Sequence, residues 1–172
     1  MGLAKLANRL ASVAIAVLLS ATLVGCANQM PNPAAGLTGE GGDANGPVSP
    51  GSAKDFSVNV GNIVYFTTDS TDLTPDAQNT LRTQAGWLGK YPQYTITLEG
   101  HADERGTREY NLALGAKRSE VVRTFLASQG VGAARMRTIS YGKERPVAVC
   151  DDISCWSQNR RVVTVLNQRP GT

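Results

Sequence analysis

The segment Glu99-Gly100-His101-Ala102-Asp103-Glu104-Arg105-Gly106-Thr107 gathers an imidazole, several carboxylates and a guanidinium into one short stretch. His101 is the only histidine in the chain. With Asp103 it offers two metal ligands, but a catalytic zinc takes three from the protein and no third is evident. Gly100 to Gly106 is not a phosphate loop, because no Gly-Lys-Ser/Thr follows it. No serine or cysteine comes with a visible base and orienting group, which covalent catalysis requires. Metal and cofactor chemistry therefore find no support, and the expectation is a protein that is not an enzyme. What remains is recognition by charge. Asp103 and Arg118 supply one carboxylate and one guanidinium. From spacing alone they read more readily as an ion pair pinning a loop to a helix than as two anchors for a ligand.

Those side chains need elements to hold them. Asn62 to Phe66 is a short β-branched and aromatic run that predicts a strand. Thr74-Pro75 starts a helix, with Thr74 as cap and Pro75 at the first position, where its missing N–H costs nothing. Ala77, Leu81, Ala85 and Leu88 follow at helical spacing, and Lys90 before Pro92 marks the stop. Tyr94 to Glu99 alternates with period two and ends at Gly100. A second helix is predicted from Thr107 to Gln129, closed by Gly130, with Leu114, Val121, Val122, Phe125 and Leu126 as its core stripe. Arg137 to Tyr141 and Arg161 to Leu166 read as further strands, separated by a loop with Pro146 and two cysteines. The fold class expected is α/β, an α+β sandwich with helices on one face of a sheet. Asp103 then falls in the turn after the second strand. Arg118 falls about three turns into the following helix, one turn past Leu114.

The N-terminus reads as a targeting segment. Lys5 and Arg9 precede Leu10 to Val24, an uncharged apolar stretch diluted by Ser12, Ser20 and Thr22. A membrane span wants ~20 predominantly apolar residues, whereas a signal core needs only ~7–15. Leu23-Val24-Gly25-Cys26 resembles a bacterial lipobox, whose cysteine is thioether-linked to diacylglycerol. Residues 1–25 are therefore expected to be a signal peptide and Cys26 the lipidated N-terminus. Several acyl chains, palmitate among them, would give stable anchoring at ~0.8 kcal/mol per buried methylene. Ala27, rather than Asp, after the cysteine points to the outer membrane.

Ala27 to Lys54 is rich in proline and glycine and holds almost no large apolar residue, so it reads as a flexible linker. It would reach ~30 Å on average and ~90 Å if drawn straight. The domain is expected over residues 55–172. Without Lys5 and Arg9, the 17 basic residues fall to 15 against 14 acidic ones, a balance that argues against nucleic acid. With Cys26 lipidated, Cys150 and Cys155 remain as an even pair in an oxidising compartment, and a short-loop disulfide is expected.

Glu99 to Thr107, followed by Glu109-Tyr110-Asn111, Leu114, Lys117-Arg118 and Val122, resembles the OmpA-like peptidoglycan-binding domain. Val64-Tyr65-Phe66, Tyr141-Gly142-Lys143-Glu144-Arg145-Pro146 and Ser157-Gln158-Asn159-Arg160-Arg161 support the resemblance, which covers about Asn62 to Leu166. Within that family the likeness is to the lipoprotein branch of the Tol–Pal system. The resemblance implies a βαβαββ domain with a mixed four-stranded sheet. It also implies a ligand, the meso-diaminopimelate residue of the peptidoglycan stem peptide, whose D-centre carries an ammonium beside a carboxylate. Asp103 would accept from that ammonium, and Arg118 would fork onto the carboxylate. Asp69, Arg105, Leu114 and Asn111 match secondary positions. Asn159-Arg160-Arg161 either frames the site or starts the last strand with solvated charge, and Arg161 is placed among the binding residues.

Phe66-Thr67-Thr68-Asp69 departs from the family, which often has an aromatic residue where Thr68 stands. A periplasmic propeller, TolB, and TolA as a further partner are implied by the resemblance alone. The alternative is another OmpA-like envelope protein acting mainly through protein partners.

Overall fold

In the computed structural model of the chain, residues 48–167 are described. The expected signal segment, Cys26, most of the linker and the tail after Asn167 lie outside them.

The folded part begins earlier than Asp55. Ser52 Oγ accepts from the Asp55 N–H at 3.0 Å and opens α1 (Ala53–Asp55), which continues as a π-helical segment, Phe56–Gly61. The Asp55 carboxylate takes hydrogen bonds from the Trp87 indole at 2.9 Å and the Gly51 N–H at 2.8 Å. Tyr94 donates its hydroxyl to the Gly51 carbonyl at 2.9 Å. The boundary drawn between Lys54 and Asp55 thus falls inside α1.

The remaining order is β1 (Ile63–Tyr65), α2 (Pro75–Lys90), β2 (Thr95–His101), α3 (Arg108–Ser128), a 3₁₀ turn, β3 (Met136–Gly142), α4 (Ile153–Asn159) and β4 (Arg161–Asn167). Thr74 and Thr107 cap α2 and α3, their hydroxyls accepting from the Ala77 and Tyr110 N–H groups at 3.2 Å each. The four strands form one mixed sheet in the order β1-β4-β2-β3, with only the β2–β3 pair parallel. That arrangement is the α+β sandwich that the alternation of elements predicts.

Alternation decides which face is covered. Val64 pairs with Val162, Val162 with Gly100, and Thr164 with Leu98. These residues are buried beneath α2 and α3 with Phe56, Leu81, Leu88, Ile96, Val122 and Leu126. Two polar side chains sit in this core with partners: Gln84 donates to the Gly61 carbonyl at 2.7 Å, and Thr164 donates to Gln84 at 2.9 Å. Buried polar groups satisfied in this way avoid most of their desolvation penalty.

Two expectations are corrected. The segment after Pro146 is not all loop. Asp152 accepts from the Ser154 N–H at 2.7 Å and starts α4, tied down by the disulfide between Cys150 and Cys155. The buried stripe of α3 also differs from the apolar period. It runs Asn111, Gly115, Arg118, Val122, Leu126, while Leu114, Val121 and Phe125 are only half-buried. The spacing is helical, but its N-terminal half is polar or small.

Candidate functional site

The turn that carries Asp103 is shaped where β2 leaves the sheet. Pairing with β3 shifts between Gly100 and His101, so His101 opposes Gly142, and Ala102 then donates to the Gly142 carbonyl at 2.8 Å. Such a bulge turns the following side chains away from the regular pleat. Asn111 holds the far side of the turn, its amide donating to the carbonyls of Arg105 at 2.6 Å and Thr107 at 3.1 Å.

Asp103, Arg105, Asn111, Leu114, Arg118, Asp69 and Thr68 line one cleft of about 260 Å3, together with Gly106 and Tyr110. Six of the seven sequence-predicted ligand-binding positions thus come together, from three separate stretches of chain.

Arg118 is 0% exposed. Its Nε donates to the Ser70 carbonyl at 2.9 Å, Nη1 to His101 at 2.9 Å and Nη2 to Thr67 at 3.1 Å. The guanidinium therefore ties the β1–α2 loop to the end of β2, and lies 5.2 Å from the centre of the Phe66 ring. Burial first, and the neighbouring Arg160 second, lower its pKa to about 10, which still leaves it a cation at neutral pH. An arginine has five N–H groups, and these three bonds leave one on each terminal nitrogen.

Asp103 is 7% exposed and forms no ion pair with Arg118. One carboxylate oxygen accepts from the Arg105 backbone N–H at 3.3 Å and from Arg105 Nε at 3.1 Å. The other accepts from Arg105 Nη2 at 2.7 Å and from Arg160 Nη1 at 3.2 Å. Burial opposes the charged form, but the hydrogen bonds from Arg105 and then Arg160 outweigh it and hold the carboxyl below its ordinary range. The loop-to-helix ion pair that spacing favoured is thus absent. Each charge has partners of its own.

Asp69 has a left-handed backbone, φ +53°, uncommon for a non-glycine residue. Tyr110 donates its hydroxyl to the Asp69 carboxylate across the mouth of the cleft. Tyr110 belongs to the quoted Glu109-Tyr110-Asn111 run, yet it was not among the predicted contacts. Thr68 does line the cleft, while the nearby aromatic, Phe66, is buried beneath Arg118.

Arg161 is not brought to the cleft. Its guanidinium donates to the Asn159 carbonyl at 3.4 Å and the Arg145 carbonyl at 3.2 Å. Its predecessor, Arg160, reaches Asp103 and also donates to the Phe66 carbonyl at 3.1 Å. Arg160 closes α4 and Arg161 opens β4, and these adjacent residues send their guanidinium groups to different partners. Arg161 pairs with Tyr65 in the sheet register.

His101 contributes its carbonyl rather than its ring. The ring is buried, and neither nitrogen has a hydrogen-bond partner among the described residues. Burial, reinforced by Arg161 and Arg145, lowers its pKa to about 4. Among the described residues no group of three or more His, Cys, Asp or Glu side chains could hold a metal ion.

A residue that sequence reasoning missed stands behind Arg105. Trp156, on α4, donates its indole N–H to the Glu104 carboxylate, and the Arg105 guanidinium lies 4.2 Å over its ring.

Sheet order, helix placement and a charged cleft at the end of β2 define an OmpA-like domain. The OmpA family profile matches residues 65–160. The peptidoglycan-associated lipoprotein of Agrobacterium fabrum is 66% identical over 154 residues, covering 88% of this chain and 85% of that one. The crystal structure of the peptidoglycan-associated lipoprotein from Burkholderia pseudomallei matches with a TM-score of 0.60 at 47% identity, covering 62% of this chain and 90% of that one. The C-terminal domain of Helicobacter pylori MotB shares the fold, with a TM-score of 0.59 at 22% identity over 63% of this chain and 86% of that one. The chain belongs to the OmpA family, in its branch of peptidoglycan-associated lipoproteins.

Proposed function

We propose that the domain binds peptidoglycan non-covalently at the D-centre of meso-diaminopimelate, and so tethers a lipid-anchored protein to the cell wall. One observation carries this reading: Asp103 and Arg118 line the same cleft with opposite charges, yet neither is the other's partner. A ligand with an ammonium beside a carboxylate matches that pair. The ammonium is received by Asp103, and the carboxylate is drawn to the cleft wall by the charge of the buried Arg118 guanidinium, which has donors to spare once the wall opens to it. At about 260 Å3 the cleft suits one amino-acid head, since drug-sized ligands occupy roughly 300–1,000 Å3.

The tether is completed at its other end by acylation of Cys26 in the outer membrane, on the periplasmic face. Single weak sites suffice there, because many copies on one membrane engage one wall multivalently. A role in the Tol–Pal envelope-integrity and cell-division system, with a TolB-like propeller and TolA as protein partners, is part of this proposal and is supported by the family resemblance alone. A second reading, action mainly through protein partners, is favoured by one feature: Val147, Val149 and Ile153 stand exposed on the disulfide-tied segment.

The test is a pull-down of a soluble fragment on purified diaminopimelate-type sacculi. The fragment should run from Gly42 to Thr172, which forms one compact unit; starting at Asp55 would remove the Gly51 and Ser52 contacts. Binding by wild type and its loss in folded Asp103→Asn supports the reading. A wild-type fragment that stays in solution sinks it and turns the search to protein partners.

A further inference from the structure

We propose that Arg105 is a displaceable lid on Asp103, a built-in cation that an ammonium-bearing ligand must replace, and therefore a residue that sets affinity for that ammonium. The inference rests on the reading of the cleft as a diaminopimelate site and goes beyond it.

The argument starts from capacity. A carboxylate has about four lone-pair positions, and the Asp103 carboxylate already accepts four hydrogen bonds. As the structure stands, no position is left for an incoming ammonium. One of the present donors must leave. The Arg105 backbone N–H is fixed by the turn. Arg160 is 6% exposed and also holds the Phe66 carbonyl, so moving it would strand a buried charge. The Arg105 side chain is the remaining donor, and it is 41% exposed.

It also has somewhere to go. Its guanidinium lies 4.2 Å over the Trp156 ring, so it can slide off the carboxylate while keeping a cation–π contact. Trp156 is held by α4, which the Cys150–Cys155 disulfide ties down. Only the Arg105 end of this pair is exposed, 41% against 9% for Asp103. Water therefore compensates the departing guanidinium while the carboxylate must be compensated by the ligand, and opening the lid always subtracts from ligand affinity.

The experiment compares the full-length protein in detergent with Arg105→Ala and Arg105→Gln. The probes are a soluble muropeptide carrying meso-diaminopimelate and the same muropeptide acetylated at the D-centre ammonium. Both variants are expected to bind the free-ammonium muropeptide at least about two-fold more tightly, since a fully exposed pair, the weakest case, already reaches that. The acetylated probe should show no gain, and neither should Arg105→Ala placed on an Asp103→Asn background. Unchanged or weaker binding by both variants, or an equal gain for both probes, overturns the lid while leaving the site reading intact. Wild type that binds neither muropeptide sinks both.

Discussion

Gly100 on β2 and Gly115 on α3 touch backbone to backbone: a Cβ on Gly100 would overlap the Gly115 carbonyl, and a Cβ on Gly115 would stand 2.8 Å from the Gly100 carbonyl oxygen. This contact sets how close the helix lies to the strand, and Arg118 follows one turn later with His101 as its neighbour. The cleft is therefore built on a crossing that tolerates no side chain.

Gly100→Ala is expected to force helix and strand apart, destabilising the fold by about 1–3 kcal/mol, as overpacking does. Urea denaturation should show the midpoint falling with little change in slope. Sacculus binding should weaken as well, because Arg118 moves with the helix. Unchanged stability would mean that the crossing adjusts freely.

Arg118 has two tasks, and two substitutions separate them. Arg118→Ala strips donors from the carbonyls of Ser70, His101 and Thr67, so a loss of about 3 kcal/mol or more is expected. Arg118→Lys keeps the charge but loses the planar fork. It should remain closer to wild type in stability while still releasing the fragment from sacculi. Equal stability of Arg118→Ala and wild type would show that these bonds contribute nothing to folding.

The parts of the molecule readable from sequence are those decided locally. Thr74 caps its helix because a hydroxyl before an apolar-periodic run needs only its own neighbours, whereas Thr107, expected as the first residue of its helix, is the cap one position before it. The buried strand face follows from period two. The gathering of Asp69, Asp103, Arg105, Asn111, Leu114 and Arg118 followed from family resemblance, since no spacing rule brings the β1–α2 loop to the flank of α3. The failures have physical causes. Arg161 was chosen over Arg160 because both arginines are buried at the α4–β4 junction, and only tertiary packing sends Arg160 to Asp103 and Arg161 to the Arg145 carbonyl. The α3 stripe was misread because Asn111, Gly115 and Arg118 are buried polar or small residues with tertiary partners. The short helix α4 carries no apolar period and depends on Asp152 and a disulfide.

A pH dependence follows from His101, the single histidine of the chain. Its folded pKa of about 4 lies below the ordinary value of 6.5, so between these values the unfolded chain binds more protons. Stability therefore rises with pH across that window and falls as pH drops from about 6.5 toward 4, by up to about 3 kcal/mol. Asp103, also depressed, adds a further loss as pH falls below the ordinary carboxylate range. Urea midpoints measured from pH 7 to pH 4 should decline for wild type and flatten above pH 4 for His101→Gln. An equally steep decline in the variant would assign the effect to other groups.

The disulfide reaches the cleft through one helix. Cys155 is buried on α4, and the next residue, Trp156, holds both Glu104 and Arg105. A loop this short contributes about 2 kcal/mol when cross-linked, on the chain-entropy account. Reduction, or Cys150→Ser with Cys155→Ser, is expected to lower stability by about that amount. Loosening α4 should also move Trp156 away from Arg105, which two-dimensional NMR reads as a shift of the indole N–H resonance. Because the covered core of Phe56, Leu81, Leu98 and Val162 lies elsewhere, the rest of the amide spectrum should keep its dispersion. A reduced protein with an unshifted indole resonance would show that Asp152 and Asn159, which accepts from the Val147 N–H at 2.9 Å, hold α4 without the disulfide.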